Sequence, residues 1–258
     1  MKKNFIALAS ILAVSAWMTA CSSGKTDFPE PPATTTAQGT ETKTDTAETE
    51  TPETEASEAE TPETEAPKAK KTSGSSDFST GAWDGYTFTN SWLGISITFP
   101  EDCIIATEEQ IQEVLGAGQE VLINSGVANE SQTKISDFTS AYDFMVNLPD
   151  GGSSIQLMHE NVSIATLGKG ISADDYLSSV KTQLASLTDY GYEVGEFETV
   201  TLGGQTFTKM PVTAFGGAMY QDYYAISNGK YVSSLIVSYL PDSAEMVEEI
   251  ISGITAAE

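Results

Sequence analysis

Tyr142-Asp-Phe-Met-Val-Asn-Leu-Pro-Asp-Gly-Gly-Ser-Ser-Ile-Gln-Leu-Met-His159 is the stretch that decides the fold class. Tyr142, Phe144, Val146 and Leu148 alternate with other residues at the period of a strand that buries one face. Pro149-Asp150-Gly151-Gly152 supplies turn chemistry, and Ile155, Leu157 and His159 resume the alternation on the return. The stretch predicts an antiparallel hairpin. Working outward, strand patterns run from Tyr192 to Leu202, Phe207 to Ala214, Tyr220 to Ile226 and Tyr231 to Tyr239, with turns at Gly203-Gly204 and Asn228-Gly229. Pro211, which lacks a backbone donor, should mark an edge or a bulge. On the N-terminal side, Tyr86 and Phe88, then Ile95, Ile97 and Phe99, read as a strand pair that stops at Pro100.

Helical signals separate these strands. Thr107 with Gln110 forms a capping-box pattern ahead of Ile111, Val114 and Leu115, predicting a short helix that ends at Gly116 and Gly118. Ser172, Asp174 and Asp175 open a second helix with Tyr176, Leu177, Val180, Leu184 and Leu187 on one face. A third starts near Asp242 and turns Met246, Val247, Ile250, Ile251 and Ile254 inward. Residues 121–138 fit neither period. Tight turns join most strands, so the sheet is chiefly antiparallel, and helices packed on it give an α+β domain.

Tyr86-Thr-Phe-Thr-Asn90 and Leu93-Gly-Ile-Ser-Ile-Thr-Phe-Pro100, followed by a strand-rich second half and a final helix, resemble small lipoprotein domains of Gram-positive bacteria with a PsbP-like fold. The resemblance covers the chain from about Trp83 onward. It implies an antiparallel sheet layered with helices and carries no functional residue over.

At the other end, Lys2-Lys3 precede an apolar run that closes at Met18-Thr19-Ala20-Cys21. The run is too short to span a bilayer core of roughly 30 Å, as expected of an export signal. It resembles a bacterial lipoprotein signal, which implies a diacylglycerol on the Cys21 thiol and cleavage before it. The expected divisions are a signal peptide over 1–20, a disordered acidic linker over 21–78 and a globular domain over 79–258. The linker is Thr, Glu, Ala, Pro and Ser with few large apolar residues, and it repeats one hexapeptide at Thr51–Ala56 and Thr61–Ala66. Such a chain holds its domain on the order of 40 Å from the anchor. The expected location is the outer face of the cell membrane, reached through the lipid.

The net charge is −25, and all 12 basic residues are lysine. Only Lys134, Lys169, Lys181, Lys209 and Lys230 fall in the folded part. Without arginine, nucleic-acid binding and bidentate phosphate recognition are not expected. Attraction of cations or basic peptides stays open beside the plainer reading that acidity keeps the chain soluble.

Candidate chemistry is sparse. His159 is the single histidine and shares the parity of Ile155 and Leu157, which suits a satisfied strand histidine better than a general base. Neither a Gly-x-Ser-x-Gly elbow nor a phosphate-binding glycine loop is present, and one His with one remaining Cys cannot hold zinc. The adjacent acids Glu101-Asp102, Glu108-Glu109, Asp174-Asp175 and Glu248-Glu249 point apart, and three of the pairs sit at helix starts, so no metal or cofactor is expected. Cys103 has no basic neighbour and reads as a small buried hydrophobe. Tyrosines cluster late in the chain, and Tyr220, Tyr223 and Tyr224 are the candidate binding-surface aromatics. The expectation is a non-catalytic binding or interaction module for a protein or glycan. A cation-binding or assembly-factor lipoprotein and a carboxylate-dependent hydrolase are the alternatives.

Overall fold

The predicted hairpin forms: β5 (Ser140–Asn147) pairs antiparallel with β6 (Ser154–Asn161), and Val146 faces Ile155. The structure is a computed structural model that describes residues 78–257. Cys21, the signal segment and the linker up to residue 77 lie outside the described residues. Phe78, expected to end the linker, is the first described residue, and its ring packs against Trp92, His159 and Tyr231.

In chain order the other strands are β1 (Ala82–Asp84), β2 (Thr87–Asn90), β3 (Ile95–Thr98), β4 (Ile104–Ile105), β7 (Glu193–Val194), β8 (Glu198–Leu202), β9 (Gln205–Ala214), β10 (Met219–Asn228), β11 (Tyr231–Tyr239) and β12 (Thr255–Ala256). The main sheet has the order β4-β5-β6-β11-β10-β9-β7, with β8 also paired to β9. A smaller sheet has the order β1-β2-β3-β12. Every pairing is antiparallel. The helices are α1 (Glu108–Asn124), α2 (Glu130–Thr139), α3 (Ala173–Leu184) and α4 (Ala244–Ser252).

The main sheet buries both faces, because each carries its own apolar set at strand parity. On one face Met145, Met158, Met210, Tyr223 and Ile236 meet Ile111, Leu115 and Leu122 of α1 and Tyr176, Leu177, Val180 and Leu184 of α3. On the other, Phe144, Val146, Ile155, Leu157, Leu235 and Val237 meet Phe88, Ile95 and Ile97 of the small sheet and Val247, Ile250 and Ile251 of α4. The α+β class and the mainly antiparallel sheet with packed helices are therefore observed.

Four local features depart from the pattern or refine it. Helix α1 runs through Gly116 and Gly118 because the buried stripe Ile111, Leu115, Gly118 and Leu122 continues, and tertiary burial outweighs a weak local propensity. It ends at Ser125, followed by Gly126 at φ 70°. The stretch that fitted no period becomes the end of α1 and α2, whose N-cap is Asn129. Pro211 lies in β9 opposite Asp222, and on its other side β9 pairs with β8 only up to Lys209 and with β7 from Val212, so the proline falls at the break. Finally, the register of β5 on β6 shifts between Tyr142 and Phe144. That bulge leaves Asp143 without a paired residue on β6 and puts Tyr142 on the helix-covered side, against the expected alternation.

Candidate functional site

Strand β10 carries the expected tyrosines, and strand parity divides them. Tyr223 is fully buried under the helices, on the face opposite Asp222 and Tyr224. It cannot present a binding surface, a correction that follows from the two-residue period of a strand. Tyr224 is only 5% exposed, so its ring supports the surface from beneath. Tyr220 is half-buried and remains at the surface, paired across the strands with half-buried Tyr239 of β11. Their ring centroids lie 5.5 Å apart with planes tilted by 32°.

Beside this ring pair sits a charged pair. Lys209 of β9 places Nζ 3.0 Å from Asp222 Oδ2, with the two side chains 23% and 8% exposed. Tyr239 donates its hydroxyl to the same oxygen at 3.3 Å. The Lys209 ammonium also lies 5.5 Å from the centre of the Tyr224 ring, within reach of its π-face. Burial, and then the charge of Asp222, push the Tyr224 and Tyr239 hydroxyls well above their usual range, so both stay protonated donors at neutral pH. Glu198 of β8, exposed, stands opposite Lys209 in register. The face therefore offers two tilted phenol rings, a carboxylate, an ammonium and hydroxyl donors, all on paired strands. Such a set can stack on the apolar face of a ligand and hydrogen-bond its polar edge.

A second constellation was not anticipated. His159 Nδ1 lies 2.7 Å from Ser233 Oγ, and Nε2 lies 2.9 Å from Asp143 Oδ2. Asn90 of β2 donates its amide to Asp143 Oδ2 at 2.6 Å, and the Gly81 backbone N–H donates to Asp143 Oδ1 at 3.1 Å. The line has the residue types of a serine nucleophile with its base and orienting acid. Yet Ser233 and His159 are wholly buried, as is the side chain of Asp143. In this state it ties β11, β6, β5 and β2 together, in accord with the satisfied strand histidine expected from parity. Asp143 escaped sequence reading because strict alternation aims it away from His159, and only the bulge brings it there.

Cys103 is buried at 5% exposure and packs in the core between the two sheets. Burial, then the charges of Asp102 and Asp150, push its thiol upward, away from thiolate chemistry. Among the described residues no three His, Cys, Asp or Glu side chains gather as a metal site, and no helix is long and apolar enough to cross a membrane.

No protein-family model matches the chain, and no curated protein matches it in sequence. In structure it is similar to the cyanobacterial PsbP protein CyanoP from Synechocystis sp. PCC 6803, at 12% identity and a TM-score of 0.40, covering 72% of this chain and 98% of that one. It is also similar to LpqN, described as involved in cell envelope biogenesis of Mycobacterium tuberculosis, at 14% identity and a TM-score of 0.35, covering 64% and 83%. A protein of Bacteroides thetaiotaomicron gives 13% identity and a TM-score of 0.32, covering 67% and 49%. At these values nothing about ligand or activity follows from the likenesses, and the α+β assignment stands on the strand pairing itself.

Proposed function

We propose that this protein is a non-catalytic recognition module of the cell surface, carried by a lipid on Cys21 and an acidic linker on the outer side of a Gram-positive membrane. The observation behind the recognition role is the tyrosine pair Tyr220 and Tyr239 set beside the Asp222–Lys209 pair on rigid strands. The ligand class that suits it is a neutral, hydroxyl-rich glycan. Phenol rings stack on the apolar face of a sugar, and the carboxylate and ammonium take its hydroxyl groups. The net charge of −25 disfavours phosphate-bearing polymers. The test is co-sedimentation of the unlipidated Cys21→Ser chain with chitin, an insoluble and uncharged polysaccharide. Binding is expected for this chain and its loss for Tyr220→Ala/Tyr239→Ala and for Asp222→Asn, with melting temperatures changed by only a few degrees. Failure of the parent chain to sediment, or full retention by the double variant, would reject this face.

A further inference from the structure

We propose that Trp92, Tyr231 and His159 form a binding box for an aromatic side chain carried on an extended peptide, and that the protein's own Phe78 occupies the box in this structure. The Phe78 ring stacks on Tyr231 with centroids 4.5 Å apart and planes 16° from parallel. It meets Trp92 and His159 edge-on, each at 5.1 Å. Trp92 in turn stands nearly perpendicular to His159 and Tyr231, at 5.5 and 5.7 Å, so three walls enclose the fourth ring. Phe78, Trp92 and Tyr231 are half-buried, and the mouth of the box therefore touches solvent.

The residues after Phe78 lie on the domain as a bound peptide would. Ser79 and Thr80 are exposed and precede the first strand residue, Ala82. The Ser79 carbonyl accepts from Asn90 Nδ2 at 3.4 Å, and the Gly81 amide donates to Asp143 Oδ1 at 3.1 Å. Asp143 is the built part of the site. Its side chain is fully buried, its other oxygen is committed to His159 and Asn90, and Oδ1 faces the peptide backbone as an acceptor. A buried carboxylate oxygen is costly to leave without a donor, which favours a chain with an N–H three residues beyond its aromatic anchor. That position also demands glycine. A Cβ on Gly81 would press into the Phe88 ring and come within 2.6 Å of the Thr89 carbonyl oxygen. The recognised pattern is thus aromatic, two small polar residues, glycine, which is the order Phe78-Ser79-Thr80-Gly81.

A tethered ligand competes at an effective concentration on the order of millimolar, so an outside peptide enters only where Phe78 is absent or drawn out. The partner class is an extended segment of another protein with the same pattern. The probe is a synthetic peptide of residues 74–81, Gly-Ser-Ser-Asp-Phe-Ser-Thr-Gly, titrated into the unlipidated full chain bearing Phe78→Ala and followed by NMR shifts of the Trp92 indole N–H. The peptide should bind Phe78→Ala at least tenfold more tightly than the parent chain, and the same peptide with alanine for phenylalanine should not bind either. Equal affinity for parent and variant, or binding of the alanine peptide, would overturn the box. Phe78→Leu is the second variant, since it keeps apolar volume but loses the ring stack. If neither variant melts cooperatively, Phe78 is core rather than occupant and the proposal fails.

Discussion

Two carboxylates, Asp143 and Asp222, each lie about one hydrogen-bond length from a basic side chain, His159 at 2.9 Å and Lys209 at 3.0 Å. Distance does not distinguish them, but burial does. Both members of the first pair are closed to solvent, whereas Lys209 is 23% exposed and Asp222 8%. A closed carboxylate must have its acceptor sites filled by the protein, and Asp143 takes Asn90, His159 and Gly81. Asp222 is itself nearly closed, at 8% exposure, but its partner ammonium reaches solvent, so this pair has an open side that the first lacks. One pair ties the small sheet to the large one, and the other borders the surface on which the proposed recognition rests.

The sharpest way to break this comparison is to delete each acid in turn. Asp143→Ala strands the Asn90 amide, His159 and the Gly81 N–H in a dry site, a loss of about 3 kcal/mol or more. For a domain of this size that lowers the melting temperature by on the order of 10 °C. Asp222→Ala removes a buried carboxylate as well, but the Lys209 ammonium is 23% exposed and can turn to water, so the loss should be smaller, about 1–2 kcal/mol. Equilibrium urea unfolding of both variants decides the matter. Similar losses would mean that burial is not what separates the two pairs.

The same comparison marks what could be read from residues. The hairpin, α3 and α4 were legible because their apolar period is clean and burial obeys it. The two-residue strand β12, which pairs Thr255 with Ser96, has too few residues to show any period. The glycines in α1 misled because a local breaker says little where a buried stripe runs through it. Asp143 was hidden by a bulge, which is a decision of strand register rather than of residue type. Tyr223, by contrast, was recoverable, since its neighbour Tyr224 lies on the same strand and adjacent strand residues face opposite ways. The aromatic box was invisible because Phe78, Trp92, His159 and Tyr231 come from four distant places in the chain.

A third acid sharpens the contrast between closed and open carboxylates. Asp150, in the β5–β6 turn, accepts from the Gly152 and Ser153 amides at 2.9 and 2.8 Å and from the hydroxyls of Ser153 and Ser243, tying the turn to the start of α4. Partial burial alone would raise its pKa, but these hydrogen bonds outweigh it and hold the group below its ordinary 3.8. A folded pKa lower than the unfolded one means that the stabilisation is present above the unfolded value and is lost as pH falls through the folded one. Acid unfolding of the parent chain should therefore include a component below pH 3.8 that Asp150→Asn lacks. Coincident stability profiles for parent and variant below pH 5 would show that the turn contributes nothing to acid resistance.

The smallest expected effect separates the helix-covered face from the tyrosine surface. Tyr176 and Tyr223 both lie at 0% exposure beneath the helices. Tyr176 donates its hydroxyl to Glu160 Oε2 at 3.0 Å, whereas the Tyr223 hydroxyl has no hydrogen-bond partner among the described residues. Removing a hydroxyl bonded to a buried carboxylate loses a charge-assisted bond, so Tyr176→Phe should cost about 1.5–3 kcal/mol. Tyr223→Phe removes a polar atom that gains nothing in the folded state while its ring keeps the packing, so its stability should change by less than about 0.5 kcal/mol and in the stabilising direction. Chemical denaturation of the two variants side by side measures the difference directly. A loss above about 1 kcal/mol for Tyr223→Phe would mean that its hydroxyl bonds an internal water, and would make the site between β10 and the helices wet rather than dry.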